Sequence, residues 1–183
     1  RSRQDPAATV GFELEPQDGD PGTMRLLAWT TTPWTLPSNL ALCSGEEIEY
    51  VVVKRPDDAE KNYWVLASAA LGRYAKELDG HEVVATMTGK DLKGRAYRPL
   101  FPYFEGHENA FRVLSDPFVS TEDGTGVVHM APGFGEDDQR VCEANGVGLV
   151  VPVDDHGQYT KEISDFVGVN VFDANKPILE RLK

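Results

Sequence analysis

The feature that most constrains the fold is a series of short strand-like segments, separated by loops that carry Gly or Pro. Each segment is rich in aliphatic, aromatic or β-branched residues and is about four to eight residues long, which is typical of strands. The predicted strands are Arg25–Thr32, Ile48–Lys54, Tyr63–Ala67, Glu82–Met87, Phe111–Leu114, Gly126–Ala131 and Gly148–Val153.

Helical patterns are fewer and lie between or after these strands. They predict helices over Ala69–Leu78 with Ser68 as N-cap, over Glu136–Asn145 closed by Gly146, and over Asp173–Leu182. Strand segments therefore dominate. The spacing predicts a mixed α/β fold with a β-barrel-like core and peripheral α-helices.

Length and charge limit the function classes. The chain has 183 residues, of which 40% are hydrophobic, so we expect one domain with its own core over residues 1–183. The formal net charge is −12, which argues against a free-standing nucleic-acid binder because phosphate contacts need clustered Lys and Arg. Two distant cysteines and no long apolar run predict a cytoplasmic protein, or a piece of one, with no membrane partner.

The segment WTTTPWTLPSN, residues 29–39, combines hydroxyl groups with flat aromatic faces. Strand alternation puts Thr30 and Thr32 on one face and Trp29 and Thr31 on the other. Pro33 must end or bend the strand, which frees backbone and threonine groups for a ligand. The alternative is that the threonines are ordinary strand formers and the tryptophans are core residues; for Trp29 we favour the core.

The second segment is DGTGVVHMAPGFGEDD, residues 123–138. Here a strand ends near His129, a Pro- and Gly-bearing turn follows, and three acidic residues open a helix. Such acids are common at helix starts because of the helix dipole, and a strand-end His is often satisfied by a backbone carbonyl. Such a turn can nevertheless place an imidazole and a carboxylate at one pocket, which suits a ligand with a cationic amine and polar ester or hydroxyl groups.

Together these two segments resemble the inserted editing domain of isoleucyl-tRNA synthetase, a class I synthetase. The segments RQDPAATVGFEL, GKDLKGRAYRPLFPYF and GVNVFDANKPILERL extend the resemblance over nearly the whole chain. No HIGH or KMSKS motif of the aminoacylation site is present. The resemblance implies one editing domain, residues 1–183, excised from a larger synthetase.

Valyl and leucyl synthetases share this domain and are the nearest alternatives. Their pattern resembles T-T-R-P, with an arginine where this chain has Thr32, and they do not usually carry the counterpart of His129. Thr32, Trp34 and His129 therefore favour the isoleucyl branch. Phe134 departs from the PGHG pattern of many bacterial members and resembles other lineages of the family.

The resemblance implies hydrolysis of valine that has been mischarged onto tRNA(Ile), after transfer and also before it, with water as the nucleophile. Asp138 is expected to hold the α-ammonium of the substrate, and His129 to line the pocket near its side chain and ribose. Thr30 and Thr32 are expected to position the attacking water. Thr31, Trp34, Thr35 and Asn39 are expected to contact the substrate.

The same resemblance implies no metal and no cofactor in this domain. His81, His107 and His156 are scattered, and nothing matches zinc-ligand spacing. The implied partners are the acceptor end of tRNA(Ile) carrying valine and the rest of the synthetase in cis, with the protein a monomer. Besides the valyl and leucyl siblings, a non-catalytic barrel that stacks a sugar or peptide on Trp29 and Trp34 stays open.

Overall fold

A computed structural model describes residues 7–54 and 62–182. In this part of the chain the strands are β1 (Ala8–Glu13), β2 (Thr23–Thr30), β3 (Ala41–Ser44), β4 (Glu49–Lys54), β5 (Asn62–Ala67), β6 (Glu82–Thr88), β7 (Arg112–Ser115) and β8 (Val127–Met130). The α-helices are α1 (Gly89–Leu92), α2 (Glu136–Ala144) and α3 (Val171–Arg181). Three 3-10 helices span Pro33–Ser38, Ser68–Tyr74 and Pro132–Phe134.

The larger sheet has the strand order β1-β2-β5-β4-β6. Only the β2–β5 pair is parallel, and the register of β4 against β6 shifts between Val52 and Val53. Its central strand β5 and its neighbours bury Leu26, Val52 and Val65 completely. Strand β4 buries four consecutive residues, Tyr50 to Val53, so apolar side chains are covered on both faces of this central part of the sheet.

The smaller sheet has the order β7-β3-β8, with β3 parallel to β7 and antiparallel to β8. All four residues of β3 are buried, including Ser44, so this short strand lies at the centre of the domain. A second apolar cluster forms beside it around Leu40, Met130 and Val141. Strands β2 and β8 contact each other where the two sheets meet. The ends of these two strands are the ones that carry the threonine and histidine segments.

The mixed α/β prediction is confirmed, and the two predicted α-helices near the C-terminal half correspond to α2 and α3. In the described residues, however, the strands form two open sheets and not a closed barrel. Strands β1 and β3 were not predicted. Strand β1 was missed because Gly11 interrupts its apolar pattern. Strand β3 was missed because its four residues are too few to give a periodic signal.

Two other expectations need correction. Gly148–Val153 is not a strand, because Pro152 lacks a ladder donor and only Val153 makes a bridge, to Tyr159. The predicted helix Ala69–Leu78 is a 3-10 helix over Ser68–Tyr74 followed by turns, with Ala67 and not Ser68 at its N-cap. The N-cap of α3 is Asn170, whose side chain accepts a hydrogen bond from the Phe172 N–H.

No helix of residues 7–54 or 62–182 is long and apolar enough to cross a membrane.

Candidate active site

The threonine segment leaves the larger sheet at Thr30, two residues earlier than predicted. Thr32 is the residue before Pro33 and has φ −129° and ψ 71°, and Pro33 then starts the 3-10 helix. The Thr35 N–H and the Thr35 hydroxyl both donate to the Thr32 carbonyl, at 3.0 and 2.9 Å. The Thr32 N–H donates to Thr30 Oγ1 at 3.0 Å. These bonds hold three threonine hydroxyls together at the end of the strand.

The second segment turns sharply after β8 and brings a carboxylate back towards that strand. Asp138, in the first turn of α2, accepts a hydrogen bond from the Ala131 N–H at 2.9 Å through Oδ2. The turn depends on Gly133, because a Cβ at this position would lie 2.3 Å from the Val150 carbonyl oxygen. The glycine therefore allows the irregular segment around Val150 to pack against the turn.

The two segments enclose one cleft of about 220 Å³, which we call the site cleft. It is lined by Trp29, Thr30, Thr31, Thr32, Thr35, Val128, His129, Ala131, Phe134 and Asp138. The structure thus brings together six of the eight predicted site residues. Thr31 is among them although strand alternation turns it away from its neighbours, because the strand ends at Thr30.

Asp138 is partly buried in this cleft. Burial raises the pKa of its carboxyl, and the hydrogen bond from Ala131 and its own backbone only partly oppose that shift. No ion pair within residues 7–54 and 62–182 includes this carboxylate. A cationic ligand group in the cleft would therefore be favoured, because it would stabilise the charged form that burial disfavours.

His129 lies deeper in the cleft, and only 9% of its surface is exposed. Its Nε2 is 2.7 Å from Thr35 Oγ1, and its Nδ1 is 2.8 Å from Asn39 Nδ2. Burial lowers the pKa of the ring to about 4, so the imidazole is neutral at physiological pH. Both ring nitrogens are engaged by neighbouring side chains.

The other two predicted site residues, Trp34 and Asn39, do not line the cleft. Trp34 packs edge-on against Phe134, which does, and against Phe172, with ring centroids 4.9 and 6.3 Å apart. Its Nε1 is buried and has no hydrogen-bond partner among residues 7–54 and 62–182. Asn39 is buried behind His129 and donates to the Ala41 carbonyl oxygen at 2.9 Å. Trp34 is therefore separated from the cleft by Phe134, and Asn39 is separated from it by His129.

Trp29, interpreted from the sequence as a core residue, is instead 40% exposed. It lies at the border between the site cleft and a neighbouring cleft of about 240 Å³ that also contains Phe118, Ser120, Asp123 and the segment 124–128. Gly124 packs against this indole, since a Cβ there would be 3.4 Å from the Trp29 ring. The core interpretation was wrong because the sheet leaves this face of β2 open at its end.

Sequence reasoning missed three residues of the cleft wall, Val128, Ala131 and Phe134. Phe134 alone gave a signal, as an aromatic residue inside a Pro–Gly turn where solvent exposure would otherwise be expected. It also missed Tyr97, whose hydroxyl donates to Asn39 Oδ1. Tyr97 is far from both motifs in sequence, so no local pattern connects it with them.

The polar side chains that line the site cleft offer hydroxyl, imidazole and carboxyl groups. Cys43 and Cys142 are buried, and burial raises the pKa of each thiol to about 12, which makes them poor nucleophiles. Within the described part of the chain, no group of three or more His, Cys, Asp or Glu side chains could hold a metal ion.

Three comparisons with known proteins were made, and the relatives found by sequence cover the whole chain. No family model matches it. An isoleucine–tRNA ligase from Rickettsia canadensis is 49% identical over 187 residues, which is 100% of this chain and 17% of that protein. The enzyme of the same name from Rickettsia conorii is 50% identical over 189 residues, again with 100% and 17% coverage. The chain thus spans about a sixth of the length of these relatives.

Solved structures with the same fold are editing domains of another synthetase. The crystal structure of GlLeuRS-CP1 matches with a TM-score of 0.72 and 16% identity, covering 97% of this chain and 95% of that one. The cytosolic leucyl-tRNA synthetase editing domain of P. knowlesi matches with a TM-score of 0.60 and 11% identity, covering 99% and 85%. At these identities the likeness concerns the fold.

Proposed function

The chain is homologous over its whole length to isoleucine–tRNA ligases and has the fold of class I synthetase editing domains, and we propose that it hydrolyses valine from tRNA(Ile). A hydrophobic pocket gains only about 1–3 kcal/mol from one methylene, a limit for which this enzyme family is the standard example. The synthetic site therefore charges some tRNA(Ile) with valine, and a second site that admits valine and excludes isoleucine removes this valine. Hydrolysis after transfer is the main reaction in this proposal, with hydrolysis before transfer as an addition.

The observation that carries the proposal is the partly buried carboxylate of Asp138 beside a group of hydroxyls. An aminoacyl ester has a cationic α-ammonium next to its scissile carbonyl. Pairing that ammonium with Asp138 would fix the carbonyl in the site cleft. It would also stabilise the ionised form of the Asp138 carboxylate, which burial disfavours. Orientation of this kind can supply a large part of the rate increase.

Water is the proposed nucleophile. The hydroxyls of Thr30 and Thr32, 3.4 Å apart, and the exposed Thr31 can hydrogen-bond a water molecule and the ester oxygens. Hydroxyl groups both donate and accept, so they can orient water without a change of charge. We propose Asp138, His129, Thr30 and Thr32 for catalysis and Thr31 and Thr35 for substrate binding, and this arrangement supports the assignment.

Side-chain selection is assigned to the apolar part of the site cleft. Phe134 forms its wall, and Trp34 supports Phe134 from behind through their edge-to-face contact. A rigid aromatic wall resists the displacement that one extra methylene would require. We therefore place Trp34 behind the wall and Asn39 behind His129, and we assign both an indirect effect on substrate binding.

The terminal nucleoside of the tRNA is assigned to the neighbouring cleft. This cleft shares Trp29 and Val128 with the site cleft, so an ester bound beside Asp138 can extend into it. The exposed indole of Trp29 offers a face on which a base can stack. Contact with the acceptor end alone is compatible with the net charge of −12, because other parts of a synthetase in cis would hold the tRNA body.

We further propose that the chain acts as a monomeric, cytoplasmic domain that needs no metal or cofactor.

The test is deacylation of a panel of tRNA(Ile) charged with valine, threonine or isoleucine. The chain should release valine faster than isoleucine, and Asp138→Ala should reduce valine release by about 100-fold, the effect of about 2.7 kcal/mol. Asp137→Ala is the matched control, because Asp137 is exposed on the same helical turn and pairs with Arg140.

Three results would contradict the proposal. Faster release of isoleucine than of valine would exclude the size-selection mechanism and favour another specificity. Tight binding of the charged end with no release by any member of the panel would favour a non-catalytic binding module. Release from leucine- or valine-specific tRNA instead would assign the chain to a sibling synthetase.

A further inference from the structure

A continuous chain of hydrogen bonds runs from the core to the site cleft. It begins at Tyr97, which is 2% exposed and held edge-on between Phe12 and Phe111, with ring centroids 5.4 and 6.0 Å away. The Tyr97 hydroxyl donates to Asn39 Oδ1. The packing of the ring therefore fixes the position of a donor that faces the Asn39 amide.

The orientation of the Asn39 amide is determined by its neighbours. Its Nδ2 lies 2.9 Å from the Ala41 carbonyl oxygen, which can only accept, so the amide nitrogen must face that side. The second N–H of the same nitrogen points at His129 Nδ1, 2.8 Å away. His129 Nδ1 must therefore be the acceptor in this contact and carries no proton.

The position of the ring proton follows directly. In a neutral imidazole with a bare Nδ1, the proton is on Nε2, which then donates to Thr35 Oγ1 at 2.7 Å. Thr35 Oγ1 uses its own proton for the Thr32 carbonyl at 2.9 Å. All the donors and acceptors agree in one direction, from Tyr97 through Asn39, His129 and Thr35 to the backbone turn at Thr32.

We propose that Tyr97 and Asn39 are positioning residues that hold His129 in its Nε2–H tautomer, so that the ring donates to Thr35 and fixes the threonine turn. The ring then acts as a hydrogen-bond donor and leaves proton transfer to water and the hydroxyl groups of the cleft. This inference rests on the proposed hydrolysis for its functional meaning, whereas the tautomer itself is independent of any activity.

The direct test is ¹⁵N NMR of the 183-residue chain with labelled histidine, in which four histidines are to be assigned. At pH 7 the His129 ring should show a protonated Nε2 and an unprotonated Nδ1. An Nδ1–H tautomer or a doubly protonated ring in the unaltered chain would overturn the proposal without any substitution. The proposed hydrolysis can fail while this result stands, so the two failures are distinguishable.

Substitutions test the origin of the tautomer. Asn39→Asp replaces the amide donor by a carboxylate that only accepts, so His129 Nδ1 should gain a proton. Tyr97→Phe leaves Asn39 Oδ1 without its donor and should produce a measurable Nδ1–H population. Tyr50→Phe, which removes another buried hydroxyl that donates to the Gly126 carbonyl and accepts from the Gly45 N–H, should leave the ring unchanged. An unchanged ring in both Asn39→Asp and Tyr97→Phe would contradict the assignment of these residues.

A conservative replacement separates positioning from proton transfer in the hydrolysis reaction. A Gln side chain can accept from Asn39 and donate to Thr35, but it cannot take up a proton at neutral pH. His129→Gln should therefore retain valine release within about tenfold of the unaltered chain, whereas His129→Ala should lose about 100-fold or more. Equal losses in the two variants would overturn the positioning role.

Discussion

Two clefts of this domain differ in what their charged groups do. The larger one, of about 540 Å³, is lined by Glu13, Leu14, Pro16, Gln17, Asp20, Gly22, Thr23, Asn62 and Arg98. Its carboxylates are paired: Glu13 contacts Arg25 at 3.3 Å and Arg98 at 2.7 Å, and Asp20 contacts Arg95 at 2.7 Å. The site cleft is less than half that size, and in the described part of the chain its one carboxylate, Asp138, has only backbone donors.

If the proposed hydrolysis takes place in the site cleft, the pairing of charges is a better guide to the reactive site than the volume of a cleft. The paired carboxylates already have a cationic partner within the fold, so their contribution is to stability. A buried carboxylate without a cation raises the energy of the empty site and gains most when a cationic ligand arrives. We therefore expect substitutions in the larger cleft to affect stability and those in the site cleft to affect hydrolysis.

The largest effect should come from the same chemical change made in both clefts. Asp138→Asn should slow valine release by about 100-fold or more, because a neutral amide cannot pair with the α-ammonium. Its free energy of unfolding at pH 7 should be unchanged or higher, since burial already disfavours the charge. Glu13→Gln should leave release unchanged. Comparable slowing by Glu13→Gln in a deacylation assay would break the comparison.

The next largest effect should be on stability, in the larger cleft. The Arg95 and Asp20 side chains are only 8% and 15% exposed, so Asp20→Ala would leave a largely buried guanidinium without its partner. We expect the free energy of unfolding to fall by about 3 kcal/mol, measured by urea denaturation. Valine release by the folded fraction should stay the same. A loss below about 0.5 kcal/mol would show that solvent already compensates this pair.

The pH dependence of stability should report the buried His129. The unfolded chain takes up a proton on this ring below about pH 6.5, whereas the folded chain does so only near pH 4, so stability falls as the pH falls between these values. Between pH 7 and pH 5 this contributes a loss of about 2 kcal/mol. His129→Gln should show a pH-dependent loss smaller by that amount in paired urea titrations. His156→Gln, at an exposed position, is the control for replacing a histidine outside the cleft.

The smallest effect should come from the exposed edge of the larger cleft. The Arg98 side chain is 57% exposed and pairs with Glu13 and Glu15. Arg98→Ala should lower the free energy of unfolding by about 0.5 kcal/mol, and high salt should reduce the difference. A salt-independent loss above about 2 kcal/mol would mean that packing, and not charge, holds this edge.

The sequence was informative where one segment carries its own pattern. Regular alternation and β-branched residues located most strands, and the clustering of Thr30, Thr32, His129 and Asp138 in two motifs indicated one site. It was less informative where a residue depends on distant neighbours. The exposure of Trp29 follows from where the sheet ends, and the length of the strand that includes Thr32 was overestimated because Pro33 restricts the residue before it.

The sequence by itself determined the mixed α/β class, the relationship to isoleucine–tRNA ligases and the residue types that converge on the cleft. These properties are local, because they depend on side-chain chemistry and on the spacing of neighbours along the chain. Only the tertiary structure decided that Tyr97, Asn39 and His129 form one chain of hydrogen bonds and that Phe134 forms a wall of the cleft with Trp34 behind it. The direction of a hydrogen bond and the burial of a charge depend on groups from distant segments, which meet only when the two sheets pack together.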